Sequence, residues 1–362
     1  MTTLFDPVRL GSLSLGCRLV RSATAERISM DAEGDGDRLG IFYEPLVRGG
    51  VGLIITGHMT VHPSGRHHAR MAGIYTDRQR AEWRRAVERV HRAGGRIAAQ
   101  INHAGGRAAA TPAATVCVSP LPDRSPDPMR GTELTEKGIE ELIAAFGTAA
   151  RHARDIGFDA VQVHGAHGYL GSQFLSPLTN RRTDSWGGSM EGRARFLRHV
   201  VRAARSAVGP DYPLGMKLGA LDSGPAGLTV DDTLAAAGWF VEDSLTFIEI
   251  SGAFHAEIAA RKVKPGKGEG YYLPLARQFK ERLSIPVIAV GGLRSLETIN
   301  SALTAGACDA VAMSRPLICE PDLAVRLRSG GKSACIGCNL CMLRNDDVTQ
   351  CYAKIKERRP PA

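Results

Sequence analysis

Eight short apolar runs, each followed by a longer stretch of helical periodicity or loop, constrain this chain more than any other feature of its sequence. The runs are Leu19–Ala23, Gly52–Thr56, Ile97–Ile101, Ala160–His164, Leu214–Leu218, Phe247–Ser251, Pro286–Val290 and Ala310–Ser314. Several are nearly continuous in apolar residues, as parallel strands covered on both faces require. The helical stretches are Asp77–Ala93, Thr135–Ile156, Glu191–Val208, Asp231–Asp243, Tyr272–Leu283 and Leu296–Ala305. Asp77 supplies an acid at the first helix start, Gly94-Gly95 follows its end, and Gly157 stops the second. Strands and helices alternating in this way predict an α/β fold with a parallel sheet. A doubly wound sheet is the alternative. Eight strands, and no G-x-G-x-x-G after the first, favour a closed (β/α)8 TIM barrel.

A chain of 362 residues holds such a barrel as one domain with insertions. The expected division is a barrel over 1–330 and a Cys-rich tail over 331–362. The segment Ala108–Gly131, rich in Pro and small polar residues, reads as a loop after the third strand, and Val263–Gly270 as a flexible loop after the sixth. No run approaches the ~18 apolar residues of a membrane span, and the first 20 residues lack an apolar leader, so the expectation is a cytoplasmic protein. The net charge is +9, carried mostly by Arg. Arg193, Arg195 and Arg198 recur at near-helical spacing without interleaved aromatics, and aromatic residues make up only 6% of the chain, which argues for a solvated face and against nucleic acid. A small-molecule substrate remains as the partner, and homo-oligomerisation is left open.

In this barrel class the chemistry sits at the C-terminal ends of the strands. Those ends read Ser22-Ala23-Thr24-Ala25, Gly57-His58, Gln100-Ile101-Asn102-His103, His164-Gly165-Ala166-His167-Gly168-Tyr169, Lys217, Ser251-Gly252, Gly291-Gly292 and Ser314-Arg315. A Gly pair lets backbone N–H groups approach an anion and Arg315 adds a charged fork, at the two loops where such barrels commonly hold phosphate. Gln100 can hydrogen-bond a heterocycle, and Lys217 can offset charge developing on one. A phosphate plus a heterocycle suggests a mononucleotide. His164 and His167 can hold a carbonyl oxygen as charge builds on it, and the Tyr169 phenol suits proton donation to carbon. In isolation, the glycines are more simply a turn, and H-x-x-H a metal pair or two loop histidines.

The long run from His164 to Phe196, HGAHGYLGSQFLSPLTNRRTDSWGGSMEGRARF, changes that weighting. It resembles the signature stretch of the Old Yellow Enzyme family. So do Gln100–Gly105, the run GGVGLIITG from Gly49 to Gly57, and MSRPLICEPDL from Met313; the resemblance covers residues 4–330. It implies an FMN-dependent oxidoreductase that takes hydride from NAD(P)H and delivers it from the flavin to an activated C=C bond. By resemblance, His164 and His167 hold the acceptor oxygen, and Tyr169 gives the proton. Ser22, Ala23, Thr24, Ala25, Gly57, Gln100, Lys217, Gly292, Ser314 and Arg315 match flavin-contacting positions. Three positions depart from the family: Ala25 stands where Thr or Cys is frequent, Lys217 where Arg is common, and Ser314 where Gly is frequent.

Of eight cysteines, Cys17, Cys117, Cys308 and Cys319 are scattered, and Cys335, Cys338, Cys341 and Cys351 lie together as C-x2-C-x2-C followed nine residues later by a fourth. Larger family members carry a [4Fe–4S] cluster after the barrel, with a longer final gap and a second nucleotide-binding region beyond it. Here the chain ends at Ala362, so the expectation is a reduced, metal-free tail, with Fe–S or zinc binding as the alternative. Three other readings compete with the ene-reductase: a flavin dehydrogenase oxidising an amine or alcohol, a metal-dependent barrel hydrolase, and a flavin-free scaffold. No H-x-H ends the first strand and Asp309 begins the eighth, which disfavours the hydrolase.

Overall fold

Parallel pairing runs unbroken around a ring of eight strands in the computed structural model of the chain, which describes residues 1–28, 37–109, 115–121, 129–222, 224, 226–252, 263–343 and 348–357. The strands are Leu19–Arg21, Leu53–Ile55, Ile97–Asn102, Ala160–Gly165, Leu214–Gly219, Phe247–Ser251, Val287–Val290 and Ala310–Met313. Leu53 lies opposite Val20, and Val311 lies opposite Leu19, so the first strand pairs with both the second and the eighth and the barrel closes. This is the (β/α)8 barrel expected from the sequence, and each strand begins within a residue of its expected position.

Side chains alternate between two cores because successive strand residues point to opposite faces. Inside, Val20, Leu53, Ile55, Ala98, Ala160, Phe247, Ile288 and Ala310 pack together with Val8, Leu10 and Leu15. The last three belong to an antiparallel hairpin, Val8–Leu10 with Leu13–Leu15, which the sequence reading did not include. The hairpin therefore fills the end of the barrel opposite the loops that carry chemistry. Outside, Ile54, Ile97, Val161 and Val163 pack against helix residues such as Trp83, Phe146, Phe196, Phe240 and Phe279.

Helix starts follow their capping residues. Thr76 accepts from the Gln79 N–H with Gln79 reaching back, and Thr229 does the same with Asp232, so both form capping boxes. Thr135, Ser189 and Ser295 cap the helices after them. The sequence reading missed the helix Arg38–Arg48. It contains Gly40 and Pro45, poor helix formers, and its N-cap Asp37 makes no side-chain cap bond. Packing compensates, with Leu39, Tyr43 and Leu46 buried against the barrel. Among the described residues, no helix is long and apolar enough to cross a membrane.

Candidate active site

The C-terminal strand ends surround a cavity of about 720 Å³, within the range of small-molecule and cofactor sites. Ser22, Ala23, Thr24, Ala25, Gln100, Lys217, Ser314 and Arg315 line it, together with His164, His167 and Tyr169. Gly57 and Gly292 are not among the lining residues, although Gly291 is. Gly57 sits behind the wall, where its N–H donates to Glu26 Oε1 at 2.5 Å and where a Cβ would collide with the same carboxylate. Gly292 has φ of +73°, and a Cβ there would lie 2.7 Å from the Tyr271 ring. Glycine is therefore required at both places by backbone and packing.

A chain of buried polar side chains forms the cavity floor. Gln100 Nε2 donates to Gln162 Oε1 at 2.7 Å, and Gln162 Nε2 donates to Glu249 Oε2 at 3.0 Å. Glu249 Oε1 accepts from Lys217 Nζ at 2.9 Å and from Ser22 Oγ at 2.6 Å, and Lys217 also donates to Ser22 Oγ at 2.7 Å. The amide orientation leaves Gln100 with a carbonyl oxygen as its acceptor. Lys217 keeps one of its three N–H donors. Its charge is balanced from below by Glu249, a partner that sequence reasoning did not assign.

Tyr169 and the two histidines meet on one side. Ring centroids are 5.2 Å apart for His164 and Tyr169 and 5.1 Å apart for His164 and His167. His164 Nδ1 accepts from the Ala166 N–H at 3.3 Å, which leaves the proton on Nε2. Burial, reinforced by His167, His58 and Lys217, holds His164 well below the usual imidazole range. Burial likewise brings His167 down to about 3. Both rings are thus neutral hydrogen-bond donors or acceptors at neutral pH rather than cations. His167 Nε2 bonds Ser251 Oγ at 2.9 Å, leaving Nδ1 as its other polar atom. A positive φ of 59° turns its residue into this position. Burial pushes the Tyr169 phenol up to about 12, so it keeps its proton across the neutral range.

Other lining residues had been given no role from the sequence. His58, His67 and His68 come from the second strand end and the loop after it; Arg27 and Arg107 come from loops after the first and third. His58 was within reach of sequence reasoning, since it directly follows Gly57 at a strand end. The tail also contributes, through Asn339 and Met342. Arg315 Nη1 donates to Asn339 Oδ1, Arg27 Nη2 donates to Met342 O at 3.0 Å, and Thr349 Oγ1 donates to Ala25 O at 2.6 Å. The tail, set apart from the barrel on sequence, packs over the cavity mouth. Parts of the loop Ala108–Gly131 that follows the third strand, 110–114 and 122–128, lie outside the described residues.

The four tail cysteines differ in burial. Cys341 is buried, Cys335 and Cys351 are half-buried and Cys338 is exposed. Among the described residues, no group of three or more His, Cys, Asp or Glu side chains is gathered to hold an ion. Cys351 instead lies within hydrogen-bonding distance of Cys319 in the barrel, and burial together with that contact pushes the Cys319 thiol up to about 12.

FMN fits the groups on the opposite side. Gly291, with φ of +134°, and Gly292 keep side chains out of the loop beside Arg315. Near Arg315, the guanidinium of Arg294, only 2% exposed, leaves Nε and Nη2 without a hydrogen-bond partner. Unpaired buried donors are costly, so this end of the barrel carries positive charge with hydrogen-bonding capacity to spare.

Comparison with known proteins agrees with this geometry. The sequence model of the NADH:flavin oxidoreductase / NADH oxidase family matches residues 3–333. The NADH oxidase of Thermoanaerobacter brockii is 35% identical over 346 residues, spanning 93% of this chain and 53% of that protein. A 4,4'-dithiodibutanoate disulfide reductase of Rhodococcus erythropolis is 33% identical, across 97% of this chain and 95% of its own length. A structure of 2-naphthoyl-CoA reductase with 2-naphthoyl-CoA superposes with a TM-score of 0.86 at 25% identity, covering 93% of this chain and 54% of that one. The chain spans about half the length of the first and third of these, and nearly all of the second. It belongs to the NADH:flavin oxidoreductase / NADH oxidase family, in agreement with the resemblance read from the sequence.

Proposed function

We propose that this protein uses NAD(P)H to reduce an activated C=C bond, with FMN across the barrel mouth and Tyr169 as the proton donor. The observation that carries this reading is one cavity holding a protonated, buried phenol and two neutral imidazoles against the residues suited to FMN. FMN bound here would supply the hydride-transfer chemistry. The chain supplies orientation and protons. Gln100 offers a carbonyl oxygen and Lys217 an N–H to the flavin ring; Ser22, Ala23, Thr24 and Ala25 form the wall beside it; Ser314, Arg315 and the Gly291-Gly292 loop hold its phosphate. Gly57 acts from behind by fixing Glu26.

His164, with its proton on Nε2, donates to the acceptor's carbonyl oxygen. His167 adds a second contact through Nδ1 or by releasing Ser251. Donation by neutral rings stabilises the charge that builds on that oxygen without requiring an imidazolium in a buried site. Tyr169 gives its proton to the α-carbon. Burial keeps the Tyr169 phenol protonated across the neutral range and holds both imidazoles low, so none of the three is poised as the base that amine or alcohol oxidation needs.

Tyr169→Phe tests the assignment. The variant is expected to bind FMN and be reduced by NAD(P)H as the parent is, while alkene turnover falls by roughly 10²–10⁴. Unchanged alkene turnover contradicts the proton-donor role.

A further inference from the structure

The cavity floor is polar where a barrel interior is ordinarily filled by branched apolar side chains. Ser22 follows the first strand, and Gln100, Gln162, Lys217 and Glu249 lie in the third, fourth, fifth and sixth; each is at most 3% exposed. Gln100 sits opposite Gln162 in register, and Lys217 opposite Glu249. A buried ion pair is commonly no more stabilising than apolar side chains of the same size. Stability therefore gives no reason for Lys217 and Glu249 here, and their position at the cavity gives one.

The hydrogen bonds of the floor all run toward Glu249. A carboxylate paired with an ammonium only accepts. Glu249 Oε2 therefore takes its bond from the amide nitrogen of Gln162, at 3.0 Å. That turns Gln162 Oε1 toward Gln100, where it accepts from Nε2 at 2.7 Å. With Nε2 held by the floor, Oε1 stands on the other side of the Gln100 amide, and Gln100 lines the cavity. Glu249 Oε1 takes Lys217 Nζ at 2.9 Å and Ser22 Oγ at 2.6 Å, so the same carboxylate offsets the charge of the lysine that lines the cavity beside Gln100. A glutamine alone is free to present either end of its amide. Here a buried carboxylate two hydrogen bonds away removes the choice.

Both effects act on a flavin in one direction. Reduction of FMN by two electrons with uptake of one proton leaves a negative charge at the pyrimidine end of the ring. An unbalanced ammonium or an amide N–H facing that end favours the charge. An amide oxygen, or an ammonium already balanced by a carboxylate, favours it less. We propose that Glu249 is a positioning residue that lowers the reduction potential of the bound flavin, balancing Lys217 directly and aligning Gln100 through Gln162. A lower potential makes the reduced cofactor a stronger hydride donor. The inference rests on the flavin-facing roles proposed for Gln100 and Lys217, and it does not depend on Tyr169.

The test measures the two-electron midpoint potential of the FMN-loaded protein against a reference dye, with xanthine and xanthine oxidase supplying electrons anaerobically. Affinity for oxidised FMN is read alongside, by fluorescence quenching on reconstitution. In Glu249→Gln the equilibrium constant for reduction is expected to rise about tenfold, which places the potential about 30 mV higher. Glu249→Asp keeps the carboxylate and recovers part of that difference. Gln162→Met cuts the relay and leaves the ion pair, so the constant rises roughly threefold, the effect of one hydrogen bond. A purely structural role lowers the affinity for both redox forms together and leaves the potential where it was. An unmoved or lower potential in Glu249→Gln overturns the inference; where that variant does not fold, the same result in Gln162→Met overturns it. A rise in Glu249→Gln with none in Gln162→Met overturns the relay and leaves the direct balancing of Lys217. Enone turnover by the parent separates the two levels. An unmoved potential in a protein that reduces enones refutes the tuning and spares the proposed reaction. A raised potential in one that reduces none does the reverse.

Discussion

The imidazole of His58 stacks on the phenol of Tyr169, with ring centroids 4.9 Å apart and planes 29° from parallel. Asn102 Nδ2 holds the imidazole through Nδ1 at 3.0 Å, and burial, with the neighbouring histidines and Arg27, keeps it well below the usual imidazole range. His58 is thus a neutral flat surface that sets the plane of the proposed proton donor.

Removing that surface with His58→Ala is expected to slow alkene reduction about tenfold, the effect of one aromatic pair. The rate at which NAD(P)H reduces the flavin is the internal reference. His58→Phe keeps the stacked face and loses the ring nitrogens, so it should recover most of the rate. Failure of the Phe variant to recover it assigns His58 a hydrogen-bonding role instead.

Glu249 is fully buried under Lys217, whose own exposure is 3%. Glu249→Gln leaves a buried ammonium without its counter-charge and is expected to destabilise the fold by roughly 3–5 kcal/mol. Urea unfolding of parent and variant checks this. A second variant, Lys217→Met with Glu249→Leu, removes both charges and should regain part of the loss. A single variant as stable as the parent contradicts the pairing.

Acid sensitivity follows from the buried imidazoles. His103 is fully buried, bonded to Ser64 Oγ at 2.9 Å, and brought down to about 3 by burial and by His62. Between that value and the ordinary 6.5 the unfolded chain holds the proton and the folded chain does not. The stabilisation is complete above 6.5 and declines as pH falls, by about 1.4 kcal/mol per pH unit for each such group. His103→Gln should make the fall in stability between pH 6 and 4 shallower by close to one proton. An unchanged slope shows that the ring is protonated in the fold.

Thr349 ties the tail to the loop that carries the flavin wall, donating from its hydroxyl to Ala25 O at 2.6 Å and from its N–H to Glu26 O at 2.9 Å. Thr349→Val removes the first bond and keeps the second. The loss of one such bond, about 1 kcal/mol, predicts a several-fold weaker FMN affinity, measured by fluorescence quenching on reconstitution. Equal affinity places the flavin wall beyond the tail's influence.

The barrel was legible because it is written locally. Apolar runs such as Leu214–Leu218 and caps such as Thr135 and Ser295 each carry their own signal, and eight of them in order define the ring. Strand ends then supplied most of the cavity wall. What stayed hidden depends on distance through space. Glu249 reads as one acid within an apolar strand, and only the closed barrel sets it under Lys217, 32 residues away. Arg27 and Arg107 sit in loops without periodicity. Thr349 lies 324 residues from its partner Ala25, so the tail's place over the mouth had no local trace. The hairpin at the barrel bottom was missed because Val8–Leu10 and Leu13–Leu15 are three residues each, too short for a periodic pattern.

The most direct measurement is an anaerobic absorption experiment on the purified, FMN-reconstituted protein. NADPH or NADH should bleach the flavin band, and addition of an activated enone should restore it, with one saturated product formed per flavin reoxidised. A protein that takes up no FMN, or a bleached flavin that an enone leaves bleached, contradicts the proposed reaction.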